Sequence, residues 1–299
     1  MMQPLQGSFV ALVTPMQSDG SLDFEALEAL IEWHIESGTN GLVAVGTTGE
    51  SATVSVSEHI EIIKKTISFA KGRIPVIAGT GANSTQEAID LTQAAASIGA
   101  DYALIVTPYY NKPNQDGLLQ HFTKIADAVD IPQILYNVPS RTASDLIPDT
   151  VIKLANHPNI IGIKEAVDDP KRLAELLLIS HKISHQKNFS VLSGDDPTFN
   201  SFMANGGNGV ISVAANIIPQ HIAKICSLNL SKQFNEAEKL DLNFKNLYEL
   251  LFVESNPMPV KWMLHKMGKI NSGIRLPLVS FNSAYHEKSL EEMLKLKLI

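Results

Sequence analysis

The stretch Ile160-Ile161-Gly162-Ile163-Lys164-Glu165-Ala166 decides how this chain is read. It is a short apolar run with one lysine set into it. Apolar residues on both faces mark a strand buried in a parallel sheet. Lysine is rarely buried unless it is paired or functional. Burial disfavours the ammonium form, and a neutral amine near pH 7 attacks carbonyls and forms Schiff bases. From this stretch alone a second reading stays open, a lysine at a strand end that reaches out to water.

Outward from that stretch, strand and helix alternate. Ser8 to Met16 is apolar and ends in Thr14-Pro15, a strand and then a loop. Asp23 starts a helix with Phe24, Leu27, Leu30 and Ile31 at helical spacing, and Gly38 and Gly41 bracket its end. Leu42 to Val45 is a second strand, closing on Gly46-Thr47-Thr48-Gly49-Glu50, and Ser57 is read as the cap of the next helix. Pro75 to Ala78, Tyr102 to Thr107 and Gln133 to Val138 are the next strands, with helices ending at Ile98 and running on from Gln115 between them. Pro148 opens a short helix in its first turn, a position where proline is tolerated. After the Lys164 strand, Asp168-Asp169-Pro170 caps another helix; the paired acids there read as a helix start and not a metal site. Ser190 to Leu192 and Gly209 to Val213 complete eight strands, and Pro219 opens the last of the alternating helices. Eight repeats of this unit predict a closed (β/α)8 barrel in the α/β class. The pattern changes after about Leu230. We therefore expect a catalytic barrel over residues 1–230 and a C-terminal helical region over 231–299. Ser231 to Val253 reads as one long amphipathic helix and Glu287 to Leu296 as another.

Composition narrows the function. A formal charge of -7 argues against nucleic-acid binding, and 44% hydrophobic residues support a large core. The single cysteine, Cys226, excludes an intrachain disulfide and fits a reducing compartment. Met1 to Val10 has neither a basic n-region nor a long apolar h-region, and no apolar run approaches a membrane span, so a cytoplasmic location without membrane association is expected. His181 and His185 share an i,i+4 spacing with no third ligand in view, and Gly79-Thr80-Gly81 lacks the further glycine of a dinucleotide fingerprint.

In a barrel of this kind, chemistry sits in the loops after the strand ends. Those positions hold Thr47-Thr48-Gly49-Glu50, Tyr109-Tyr110-Asn111, Tyr136-Asn137 with Arg141, Lys164 and Gly194. They bring an amine, phenols, threonines and a guanidinium to one mouth, with no histidine or carboxylate cluster to hold a metal. The set suits carbonyl chemistry. A buried Lys164 makes an imine with a 2-oxo acid, a tyrosine relays protons, the threonine loop offers donors to a carboxylate, and Arg141 takes a second carboxylate in a bidentate way.

Gly46 to Glu50, Val106 to Pro113, Leu135 to Thr142, Gly162 to Ala166, Ser193 to Asp196, Gly209 to Val213 and Glu254 to Trp262 resemble the motifs of the 4-hydroxy-tetrahydrodipicolinate synthases, also called dihydrodipicolinate synthases. The resemblance covers nearly the whole chain. It implies a class I aldolase-type barrel, a lyase that needs no cofactor and condenses pyruvate with L-aspartate 4-semialdehyde on the diaminopimelate route to lysine. By this resemblance Lys164 forms the Schiff base, and Tyr136 is the general acid/base, linked through Thr47 to a Tyr110 supplied by a neighbouring subunit. Thr48 would hold the pyruvate carboxylate and Arg141 that of the semialdehyde, with backbone groups of Gly194 and Ile211 beside the amine. A homotetramer, a dimer of dimers, is implied. So is L-lysine as an effector at Ser51, Ala52, Val56, His59, Asn83, Glu87 and Tyr109, although Val56 departs from the pattern of lysine-sensitive members. Ala143 stands where the family usually has glycine, and it is expected to keep a negative φ at the cost of a slight local shift near Arg141. Sibling aldolases acting on N-acetylneuraminate or 2-keto-3-deoxy sugar acids share the lysine, the tyrosine and the threonine-glycine loop. Arg141 and the tyrosine pair favour the short charged semialdehyde. A catalytically dead barrel would have lost Lys164 or Tyr136, and both are present.

Overall fold

The structure, a computed structural model, describes residues 4–299; Met1, Met2 and Gln3, where the expected barrel begins, lie outside the described residues. Eight parallel strands close a barrel in sequence order: β1 (Gly7–Ala11), β2 (Gly41–Ala44), β3 (Val76–Gly79), β4 (Tyr102–Val106), β5 (Gln133–Asn137), β6 (Ile160–Glu165), β7 (Ser190–Ser193) and β8 (Gly209–Ser212). β8 pairs back onto β1. The (β/α)8 barrel expected from the alternation is the observed fold. Several strands stop short of their apolar runs; β1 ends at Ala11, and Leu12 to Met16 continues buried in the loop.

Side chains alternate across a strand, so neighbours point to opposite sides of the sheet. Phe9, Val43, Ile77, Leu104, Ile134, Leu192 and Ile211 fill the barrel interior. Ile105, Leu135, Ile163 and Val191 pack outward against helical residues such as Phe122, Leu154 and Leu176. Tyr136 pairs with Lys164 across β5 and β6, and Asn137 with Glu165, so each inward pair is followed by an outward one.

Helix starts follow local hydrogen-bonding chemistry. Asp23 accepts from the Ala26 N–H, and Ser84, Asn114 and Asp169 cap their helices in the same manner. The cap of Val56–Ala70 is Ser55 and not Ser57: Ser55 accepts from the Glu58 N–H, and Glu58 reaches back to the Ser55 N–H. This capping box outcompetes Ser57, which lies inside the first turn. The helix Pro170–Ile183 ends before His185, which separates the two histidines of the i,i+4 pair.

The region beyond Leu230 departs most from expectation. Ser231 to Val253 is not one helix. Lys232 has φ +60, the helix Phe234–Asp241 tightens into a 3-10 turn at Leu242–Phe244, and Lys245–Leu250 follows. The apolar stripe continues through the tight turn, which is why periodicity alone does not show it. The turn lets buried Asp241 accept from Tyr248 Oη at 3.0 Å. A further helix, Met258–Lys266, carries Pro259 in its first turn. One buried cluster joins Val10, Leu42, Ile222 and Cys226 of the barrel to Tyr248, Met263 and Met293 beyond it. Among the described residues no helix is long and apolar enough to cross a membrane.

The C-terminal helices are also tied to the β2 loop by charge. Lys261 Nζ pairs with the Glu50 carboxylate, and both side chains are buried. Glu50 also accepts from the Arg275 N–H at 3.2 Å, while Arg275 pairs with Glu58 at 2.7 Å. Breaking a buried pair on one side leaves an uncompensated charge. Lys261→Met is expected to lower unfolding free energy by about 3 kcal/mol in urea titration, and the double change Glu50→Gln with Lys261→Met to recover most of it. Ala143 adopts φ +55, ψ 19 and caps the turn Pro139–Thr142, so the backbone keeps the left-handed geometry instead of shifting. Ala143→Gly is expected to stabilise the protein by about 0.5 to 1 kcal/mol in the same titration, since the left-handed penalty of a Cβ outweighs the extra freedom of glycine.

Candidate active site

Lys164 and Tyr136 meet at the C-terminal end of the barrel. They sit on paired strands, and the register places Lys164 Nζ 4.2 Å from the centre of the Tyr136 ring. Both are almost fully buried. Burial drives the Lys164 amine down, the nearby Asp196 charge pulls it up and the Arg141 guanidinium pushes it down again, which leaves it at about 7. Of the two readings of Lys164, the structure bears out the buried one. Burial moves the Tyr136 hydroxyl the other way, to about 12, opposed by Arg141 and by a hydrogen bond with Thr47. The pair is thus an amine able to lose its proton near neutrality beside a phenol that keeps its own.

The amine needs room. A Cβ on Gly194 would stand 2.9 Å from Lys164 Cε and 3.0 Å from Ala166 Cβ, so a glycine is required where the lysine stem passes. The Gly194 N–H donates to the Glu165 carbonyl at 2.7 Å. Gly194 therefore contributes space, and its N–H is already engaged. Ile211 does not reach the cavity; it packs inside the barrel with Tyr136 and Leu192. Below the mouth, buried Asp196 accepts from Ser212 Oγ at 2.5 Å and from the Val213 and Ala214 N–H groups at 2.9 Å. These bonds stabilise its charge, yet burial still raises Asp196 to about 6.

The cavity around Lys164 measures about 590 Å³ and is lined by Thr47, Thr48, Tyr136, Arg141 and Gly194 among others. The threonine loop hangs between two residues with left-handed backbone, Val45 at φ +51 and Glu50 at φ +59. Such geometry is strained for a β-branched residue, on the order of 1–3 kcal/mol, and persists only where the surroundings enforce it. Thr14 Oγ1 donates to the Gly49 carbonyl at 2.7 Å and helps to fix the loop. Arg141 is carried by the short helical turn after β5 and is exposed at the rim.

One expected member of the catalytic set, and the residues expected to hold an effector, stand elsewhere. Tyr110 is 90% exposed with φ +74 and does not line the cavity of its own chain. No contact links it to Thr47 within the chain. Ser51, Ala52, Val56, His59, Glu87 and Tyr109 line a second cavity of about 430 Å³, which shares Thr47, Arg141 and Asn256 with the first. Asn83 is not among the residues lining this second cavity; its backbone N–H bonds the hydroxyl of Tyr109, which is. Burial, with the Glu87 charge adding to it, holds that hydroxyl above its ordinary range. His59 Nε2 lies 2.7 Å from the Gly79 carbonyl, and burial holds the ring's pKa below the ordinary histidine value, opposed by that bond.

Sequence reasoning missed the far wall. Phe252 and Val253, taken as the end of a long helix, and Glu254, Ser255 and Asn256, which follow it, close over the mouth. It also missed Glu165 as a structural acid. Asn137 Nδ2 bonds both Glu165 oxygens at 3.1 Å, Arg172 approaches Glu165 at 3.4 Å, and burial raises its carboxyl to about 7.

Comparison with known proteins agrees with this geometry. The model of the dihydrodipicolinate synthetase family matches residues 4–297. The 4-hydroxy-tetrahydrodipicolinate synthase of Teredinibacter turnerae is 52% identical over 289 residues, 97% of this chain and 98% of the relative. The crystal structure of dihydrodipicolinate synthase from Acinetobacter baumannii, complexed with pyruvate, superposes with a TM-score of 0.95 at 52% identity, covering 98% of this chain and 99% of that one. The enzyme from Cyanidioschyzon merolae, with lysine bound, superposes with a TM-score of 0.92 at 36% identity over 99% of this chain and all of the other. With a family model spanning nearly its whole length, a barrel matched from end to end and a buried lysine at the barrel mouth, the chain belongs to the dihydrodipicolinate synthetase family.

Proposed function

We propose that this chain is a 4-hydroxy-tetrahydrodipicolinate synthase, a lyase that joins pyruvate to L-aspartate 4-semialdehyde through a Schiff base on Lys164. One observation carries the reading: a buried amine held near pH 7, set 4.2 Å over a buried phenol at the mouth of a barrel. The neutral amine attacks the ketone carbon of pyruvate. The carbinolamine loses water and leaves an imine. Loss of a methyl proton gives an enamine, whose carbon adds to the aldehyde of the second substrate. Tyr136 is the acid and base for these transfers, with Thr47 holding its hydroxyl. Thr48 takes the pyruvate carboxylate, and Arg141 the carboxylate of the semialdehyde.

Exposed Tyr110 fits a role in a neighbour's site, and a homotetramer built as a dimer of dimers belongs to the same reading, as does a cytoplasmic location. The residues beyond Leu230 serve the barrel as its helical extension and supply the far wall of the mouth. L-lysine is the effector this reading assigns to the second cavity. Glu87 suits its ammonium group and Tyr109 and the His59 face suit its polar end, while Val56 stands 58% exposed at the rim.

Turnover of pyruvate with the semialdehyde, coupled to a dihydrodipicolinate reductase and read as NADPH loss, tests the whole. Borohydride should trap pyruvate on the wild-type protein and not on Lys164→Ala; full trapping on the variant would move the chemistry to another lysine. Because burial lowers the amine, the free base forms as pH rises through about 7, so the trapping rate should climb there and level off above. L-lysine at millimolar concentration should reduce turnover, and Glu87→Ala should weaken that inhibition by at least tenfold while activity without lysine persists. Unchanged turnover in a lysine titration would exclude the effector.

A further inference from the structure

Asn256 stands on the wall that the two cavities share. It is only 5% exposed. Its Nδ2 donates to Thr48 Oγ1 at 2.9 Å, across 208 residues of sequence. Its Oδ1 is buried and finds no partner among the described residues. Buried side-chain oxygens are normally paired, so an unpaired one on a cavity wall marks an amide whose orientation serves something other than its own satisfaction.

The hydrogen-bonding capacity of threonine gives that orientation a meaning. A hydroxyl carries one proton and two lone pairs, and its proton turns to suit its neighbours. An amide NH₂ facing Thr48 Oγ1 occupies a lone pair and cannot accept. The hydroxyl proton must then point elsewhere. Thr48 is 2% exposed and lines the cavity that holds Lys164. The surrounding backbone is fixed: the Gly49 N–H bonds the Gly46 carbonyl, the Glu50 N–H bonds the Thr47 carbonyl, and Thr14 holds the Gly49 carbonyl. The hydroxyl proton is the part left to be set.

We propose that Asn256 is a positioning residue that fixes Thr48 as a hydrogen-bond donor into the cavity, so that the barrel mouth selects the carboxylate of a 2-oxo acid over a neutral ketone. This rests on the assignment of pyruvate to that cavity. Asn256 touches no reacting atom; it acts through the one proton it directs. The reversed amide would make Thr48 donate to Asn256 Oδ1 and turn that proton away from the substrate.

The test is a double-mutant cycle read by borohydride trapping, as the ketone concentration giving half-maximal imine, with pyruvate and with acetone as the neutral ketone. Thr48→Val and Asn256→Ala should each raise the pyruvate value by about tenfold, the worth of one hydrogen bond to a charged group. The double variant should be no worse than the more impaired single one. Acetone trapping should stay within twofold throughout, which a merely structural role would not produce. If Asn256→Ala fails to fold, Asn256→Asp has the same size and carries the same cycle: its carboxylate accepts from Thr48, and its loss should shrink when Thr48 is valine. Additive losses, or equal losses for pyruvate and acetone, overturn the proposal alone. Absence of trapping on the wild-type protein overturns the pyruvate assignment and the proposal with it.

Discussion

Burying an amine without an opposing charge in direct contact costs folding free energy, and most of the site exists to hold that state. Lys164 sits near 7 where a free lysine sits near 10.5. At roughly 1.4 kcal/mol per tenfold, this is about 5 kcal/mol against the charged form in neutral solution. The cost is complete below pH 7 and fades as pH rises toward 10.5, because the unfolded chain then also loses the proton. A folded domain has few such sums to spare. The amine must therefore be enforced by packing that is stable for other reasons.

That packing is the outward face of the same two strands. Inside, Tyr136 and Lys164 form the reacting pair. Outside, Asn137 and Glu165 lock together, and Arg172 and Asp145 close the network, with Arg172 Nη2 2.6 Å from Asp145 Oδ2. A slip of one residue between β5 and β6 would exchange these faces and bury the acid where the amine now stands. The polar lock outside thus holds the register that the reactive pair inside requires. On the far side of the mouth, the Glu50–Lys261 pair and the Asn256–Thr48 bond do the same for the threonine loop, which explains why a strained Val45 is tolerated there.

The sequence made the barrel legible because a parallel strand covered on both faces leaves a solid apolar run, and eight such runs with helices between them admit few other folds. Lys164 stood out as the one cation inside such a run. Thr47, Thr48, Tyr136 and Arg141 were legible because loops after strand ends form the mouth. The far wall was not. Phe252 and Val253 continue the apolar pattern of the preceding helix, and nothing local shows that the helix ends at Leu250 and the chain crosses the opening. Gly194 was expected to offer backbone groups beside the amine; that its N–H is engaged and that the lysine stem passes where a side chain would stand are features of the fold that no local pattern shows. Ser55 lost to Ser57 on pattern because a capping box depends on Glu58 turning back, which spacing permits but does not dictate. The left-handed backbone at Ala143 was misjudged for the same reason: the Thr142 hydroxyl contacts that hold the turn come from residues on both sides of it.

Cys226 lies in the helix Pro219–Leu230 with no exposure, and burial pushes its thiol well above the ordinary range. It is the one cysteine in the chain. Thiol-directed reagents need the thiolate and access to it, and this residue offers neither in the folded state. A cysteine introduced on the surface would be the sole reactive thiol, so one fluorophore or spin label could be attached at a chosen position without first removing a native residue.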